Sequence, residues 1–166
     1  MYGLDDQDHG TFGAYYVGDA RHLYKIPEGL APEHAAPLQC AGATVYSALA
    51  DTVRAGTRVG VLGIGGLGHL AIQFAAKMGA EVVVFSTSAS KEAEARAFGA
   101  SEFVLLDEVD KVAKPVEVLV LTGAKYPDWA RFLTPRVLAG EGTIVPLNAP
   151  SGDLVLPYVP TRPNRS

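Results

Sequence analysis

Gly63, Gly65 and Gly68 stand at the spacing G-x-G-x-x-G within Gly63-Ile64-Gly65-Gly66-Leu67-Gly68, and glycines so spaced let a backbone wrap closely around phosphate. Each has its own reason. Gly63 permits a tight turn, Gly65 lets the main chain approach a diphosphate, and Gly68 allows a helix to pack against the preceding strand. Gly66 adds freedom between them. The helix expected from about Leu67 presents unpaired N–H groups and the positive end of its dipole, which together make an anion site. The diphosphate of a dinucleotide is the ligand this arrangement suits.

A bare glycine pattern is common, so the elements around it decide its meaning. Arg58 to Gly63 carries Val59, Val61 and Leu62 in an apolar run that stops at glycine, as a strand buried on both faces of a parallel sheet does. Leu67, Leu70, Ala71, Phe74, Ala75 and Met78 then recur at helical spacing, and Gly79 stands at the terminating position. Val82 to Phe85 reads as a second buried strand. Ser90 is expected to cap a helix that reaches Phe98 and stops at Gly99, and Phe103 to Leu106 reads as a third strand. A fourth strand spans Val116 to Leu121. The link before it, from Asp107 to Pro115, has room for one helical turn at most. A helix from about Pro127 past Trp129 and Phe132 is expected to restart at Thr134-Pro135 and close at Gly140, with a fifth strand from Gly142 to Leu147. Strand and helix alternate, so the expected fold is α/β, a doubly wound parallel sheet. Upstream, an Ala-rich helix is expected over about 41–53, and Pro32 can open a short one. Phe12, Ala14 and Tyr16, then Leu23, Tyr24 and Ile26, suggest a short N-terminal strand stub.

The end of the second strand bears on which dinucleotide binds. Eighteen residues past Gly68, a site for NAD(H) carries Asp or Glu for the ribose hydroxyls, and this chain has Ser86. Ser86, Ser88 and Lys91 offer hydroxyls and one ammonium, which suit the additional 2′-phosphate of NADP(H), and no carboxylate repels it. NADP(H) is therefore favoured over NAD(H).

Other chemistry is thinly supplied. Cys40 is the only cysteine, and His9, His22, His34 and His69 are the only imidazoles; none has paired ligand spacing. Tyr15, Tyr16, Tyr24 and Tyr46 read as packing residues, and no residue is assigned a catalytic role. With a net charge of -4 and no run of Lys or Arg, nucleic acid is not an expected partner. The acidic start Met1-Tyr2-Gly3-Leu4-Asp5-Asp6 and the lack of a long apolar stretch point to a cytoplasmic protein without a membrane partner.

Three stretches carry a family resemblance: Ile26-Pro27-Glu28-Gly29-Leu30, then Ala35-Ala36-Pro37-Leu38-Gln39-Cys40-Ala41-Gly42-Ala43-Thr44-Val45-Tyr46, then Val59 through His69. Together they resemble the zinc-type medium-chain alcohol dehydrogenases, in particular the NADP-dependent cinnamyl-alcohol-dehydrogenase-like branch. The resemblance implies that Cys40 matches the last of three protein ligands of a catalytic zinc. It places Thr44, Thr122 and the strand end Leu147-Asn148-Ala149 beside the nicotinamide, and Ser86, Ser88 and Lys91 around the 2′-phosphate. Thr87 stands where that branch often has an arginine.

Measured against that family, residues 1–35 are expected to be a remnant of a GroES-like catalytic domain. Residues 36–150 form the dinucleotide-binding domain and 151–166 a tail. The implied function is interconversion of an alcohol and an aldehyde or ketone by hydride transfer with NADP(H), incomplete or impaired because Cys40 is a lone zinc ligand. Alternatives are a catalytically silent dinucleotide-binding module, serving as redox sensor or assembly subunit, and a repurposed fold with zinc-free chemistry. An apolar face around Phe12, Tyr16, Leu23 and Tyr46, and a sheet edge at 143–147 unless Leu154 to Tyr158 covers it, lead to an expected homodimer or other self-association.

Overall fold

The computed structural model describes residues 13–148 and 155–156. Phe12, His9, Ala149, Leu154 and Tyr158, on which expectations were placed, lie outside the described residues. The chain divides into two compact units, Met1–Ala35 and Ala36–Ser166.

The second unit is built on five parallel strands: β1 (Arg58–Leu62), β2 (Glu81–Ser86), β3 (Glu102–Leu105), β4 (Val116–Leu121) and β5 (Leu138–Pro146). Their order across the sheet is β3-β2-β1-β4-β5, and each neighbouring pair runs parallel. The chain winds outward from β1 to β3, returns, and winds outward on the other side. The direction therefore reverses between β1 and β4, and ligands of such sheets bind beyond the carboxyl ends at that point.

The apolar runs give these strands two different faces. Val59, Val61, Val82, Val84, Val118 and Val120 face one cluster with Val45, Leu49, Leu70, Ala71, Ile72 and Ala75. Leu62, Val83, Phe85, Leu119 and Leu121 face the other, with Val109, Trp129 and Phe132. Successive side chains point to opposite faces, and here both faces are covered, so the sequence shows continuous apolarity rather than alternation. Gly60 makes room for Phe85, whose Cε2 would lie 2.9 Å from a Cβ at that position. Numbered from the first unit's Pro32–Ala35 as α1, the helices α2 (Ala41–Thr52), α3 (Gly66–Lys77) and α4 (Glu92–Phe98) supply the first cluster. The second is covered by α5 (Trp129–Phe132) and by a 3-10 stretch at Leu106–Lys111.

The amino-terminal end of the sheet is pinned by a charged network. Arg58 is buried, and its guanidinium bridges Glu81 on β2 and Glu102 on β3 while donating to the Lys114 carbonyl at 3.2 Å. One planar fork can serve several acceptors at once, so this residue crosslinks β1, β2, β3 and the approach to β4. Arg58→Met is expected to lower unfolding stability by about 2 kcal/mol. That is below the usual loss on breaking a buried pair, because both glutamates retain some access to water. A urea melt compared with the parent checks it.

Four expectations are corrected here. The helix after β4 has four residues rather than continuing to Gly140: Asp128 caps it by accepting from the Ala130 N–H at 3.1 Å, and Leu133 leaves helical geometry at φ -82° and ψ 49°. Pro135 then has no N–H to give and disfavours helix at Thr134. Gly140 instead lies inside β5, where the register against β4 slips between the pairs Val116–Leu138 and Val118–Thr143. Ser90 caps nothing; the 3-10 turn Ala89–Lys91 starts after Ser88, whose hydroxyl lies 2.8 Å from that of Ser90. The link after β3 holds six 3-10 residues with a break at Glu108.

In the first unit no strand forms among the described residues. The backbone around Asp19 and Leu23 is extended, but a strand exists only when paired. A 3-10 turn over Ala20–His22, capped by Asp19, and α1 are its regular pieces. Tyr15, Val17 and Tyr24 are largely exposed.

Candidate functional site

The site is a cleft of about 1050 Å³ at the carboxyl ends of β1, β2 and β4, lined among others by Gly63, Ile64, Gly65, Leu67, Ser86, Lys91, Thr122, Gly123 and Asn148. It sits at the reversal point between β1 and β4. Gly63 has φ +98°, a left-handed conformation that side chains other than glycine rarely adopt, and a Cβ there would meet Gly123 at 3.0 Å. The turn after β1 and the turn after β4 therefore touch backbone to backbone. Gly68 is tighter still: a Cβ would lie 2.1 Å from the Gly63 carbonyl oxygen.

Gly65 and Gly66 differ from these. A Cβ at either position would meet nothing within 4 Å. Gly65 is the N-cap of α3 and has no side chain to satisfy the helix amides, so those of Gly66, Leu67 and Gly68 begin the helix without partners inside it. Open space directly over unpaired helix amides fits a bound anion. His69 is turned to other work: its Nδ1 lies 3.1 Å from the Gly65 carbonyl oxygen, and its ring packs on Phe98 at 5.8 Å.

At the end of β2, Ser86 is buried and its hydroxyl closes a local turn, donating to the Ser88 carbonyl at 3.3 Å and accepting from the Ser88 N–H at 3.2 Å. The exposed hydroxyls here are those of Ser88 and Ser90, hydrogen-bonded to each other at 2.8 Å. The Lys91 ammonium lies in the cleft wall but is held by Glu94 at 2.6 Å, one helical turn on. Beyond β5, the Leu147 and Asn148 N–H groups both donate to the Leu121 carbonyl at 3.0 Å, and Asn148 Nδ2 donates to the Gly123 carbonyl at 2.9 Å.

Of the residues singled out in the sequence, Gly63, Gly65, Leu67, Ser86, Ser88, Lys91, Thr122, Leu147 and Asn148 share this cleft. Gly66 stands exposed on the first turn of α3 and Gly68 is buried beneath it. Thr44, on α2, is exposed and not in the cleft wall. Ala149 lies outside the described residues. Residues that sequence reasoning passed over are Leu106, Lys125, Tyr126 and Asp128. A Tyr-Pro-Asp run at 126–128, separated by four residues from the end of buried β4, was the available signal.

Cys40 is exposed, and among the described residues no group of three or more His, Cys, Asp or Glu is arranged to hold a metal ion. The described residues do not fit a catalytic zinc, which needs three protein ligands. Among the described residues, no helix is long and apolar enough to cross a membrane.

Residues 66–129 match the family model described as zinc-binding dehydrogenase. The chain is 34% identical to the NADP-dependent alcohol dehydrogenase C 1 of Mycolicibacterium smegmatis over 96% of its own length and 47% of that protein's. Among solved structures it resembles a cinnamyl alcohol dehydrogenase of Sorghum bicolor, with a TM-score of 0.73 and 36% identity, over 80% of this chain and 39% of the other. It also resembles the CAD of Helicobacter pylori complexed with NADP(H), with a TM-score of 0.68 and 32% identity, over 75% of this chain and 35% of the other. The chain thus spans less than half the length of these relatives. Sequence motifs, sheet order and relatives agree: this chain belongs to the zinc-type medium-chain alcohol dehydrogenase family, and carries its nucleotide-binding part.

Proposed function

We propose that this chain binds NADP(H) in preference to NAD(H), as the dinucleotide-binding part of an oxidoreductase interconverting alcohols with aldehydes or ketones. The observation that carries the reading is the open space at Gly65 and Gly66 over the first turn of α3. Gly66, Leu67 and Gly68 would hold the diphosphate by their amides, and Ser88, Ser90 and Lys91 would meet the 2′-phosphate. The bound nucleotide supplies or accepts hydride. The chain's own part is to bind and orient it in a cleft walled by Leu62, Phe85 and Leu147.

Preference for the phosphorylated nucleotide follows from what stands after β2: hydroxyls and an ammonium, where an NAD(H) site has a carboxylate. The Lys91–Glu94 pair is exposed and therefore weak enough for the ammonium to exchange partners. Lys91→Met is expected to weaken NADPH about fivefold and leave NADH within about twofold, as loss of one partly solvated charge-assisted contact would. Equal effects on both nucleotides would remove Lys91 from phosphate recognition.

A second reading is a dinucleotide-binding module without catalysis of its own. It is favoured by the isolation of Cys40 among the described residues. NADPH oxidation with aldehydes, assayed with and without added zinc, separates the two: turnover supports the dehydrogenase, and tight binding without turnover supports the silent module.

A further inference from the structure

One side chain at the reversal between β1 and β4 touches both ends of the Gly63 turn. We infer that Thr122 is a positioning residue for diphosphate binding: its hydroxyl fixes the Gly63 turn so that the α3 amides face the phosphates. The inference rests on the nucleotide-site reading above.

Thr122 Oγ1 lies 2.9 Å from the Leu62 carbonyl oxygen and 3.0 Å from that of Gly63. A hydroxyl has one hydrogen, so these two acceptors share it. The Thr122 N–H also donates to Leu62 at 3.0 Å. From the opposite side, the Gly63 N–H donates to the Phe85 carbonyl at 2.9 Å. The residue that turns the chain is thus held by β4 and by β2 at once. This matters because Gly63 has the widest backbone freedom of any residue type, and hydrogen bonds must supply the restraint that a side chain would otherwise give.

The hydroxyl is linked to the anion site through Gly68. A Cβ on Gly68 would lie 2.1 Å from the Gly63 oxygen and 2.9 Å from Thr122 Oγ1. Hydroxyl, Gly63 carbonyl and the Cα of Gly68 are therefore stacked in contact. A change in one displaces the first turn of α3, whose amides are the donors. The family resemblance places Thr122 beside the nicotinamide; its hydrogen bonds in this chain commit its proton to the turn.

The test uses Thr122→Ala, which deletes the hydroxyl, and Thr122→Ser, which keeps it. Valine would place a methyl at 2.9 to 3.0 Å from two carbonyl oxygens and is unsuitable. Each protein is titrated with NADPH and with adenosine 2′-monophosphate, which has no diphosphate, at a temperature where melting curves show it folded. Thr122→Ala is expected to weaken NADPH about tenfold and adenosine 2′-monophosphate by less than about twofold, with Thr122→Ser within about threefold of the parent for both. Unchanged NADPH affinity in Thr122→Ala overturns the assignment, as does a parallel loss for both ligands in both variants, which marks a general structural role. A parent that binds neither NADPH nor NADH overturns the nucleotide site itself, and the positioning role falls with it.

Discussion

Gly65→Asp is expected to reduce NADPH affinity at least about 100-fold while leaving the fold intact. The position tolerates a side chain: its φ of -102° and ψ of -157° are extended backbone, and a Cβ there meets no atom within 4 Å. It is also the N-cap of α3, where aspartate is among the preferred residues, so unfolding stability should hold or rise by roughly a few tenths of a kcal/mol over glycine. The stabilising contact and the loss of binding have one cause. The introduced carboxylate takes the amides of Leu67 and Gly68 that a diphosphate would need, and sets a negative charge against its negative charges. Nicotinamide fluorescence titration beside a urea melt reads both halves. A variant that still binds NADPH like the parent places the phosphates elsewhere.

Gly68→Ala separates the second role of the motif from the first. Its added methyl would stand 2.1 Å from the Gly63 carbonyl oxygen and 2.9 Å from the Gly63 carbonyl carbon, and neither backbone atom can rotate away. The end of β1 and the start of α3 must move apart, breaking the contact that joins strand, helix and Thr122. The expected loss is at least about 3 kcal/mol, at the upper end of overpacking effects, against a usual domain stability of about 5 to 15 kcal/mol. The urea midpoint should fall clearly, and NADPH binding should weaken in the fraction that remains folded. A variant as stable as the parent would show that the helix packs less closely than the structure has it. Two glycines three residues apart thus have opposite signatures: one loses ligand without stability, the other loses stability first.

What could be read from the sequence was local. From Arg58 to Ser86 the strand, glycine turn, helix and second strand each announce themselves by apolar period and by a glycine at each break, and the structure places them within a residue or two. The long α2 was legible for the same reason. The region after β4 was not, because Trp129 and Phe132 have helical spacing for a single turn only, and Gly140 looks like a helix end when it lies in a slip of strand register between Leu138 and Thr143. The extended N-terminal segments could not be resolved alone, since a strand is a property of two segments. The role of Thr122 was hidden most completely: its partners Leu62 and Gly63 stand about sixty residues away, and no spacing rule connects them. Lys91 was recognised as a cation near the site, but Glu94, which holds it, was passed over although their spacing is visible on the helix.

The most direct measurement is equilibrium titration of the purified chain with NADPH and, in parallel, NADH, followed by nicotinamide fluorescence. Saturable binding of NADPH, tighter than that of NADH, is the expected result and places a working anion site over the first turn of α3. Absence of binding for both nucleotides, in a protein whose melting curve shows it folded, would contradict the assignment of this cleft as a nicotinamide-dinucleotide site.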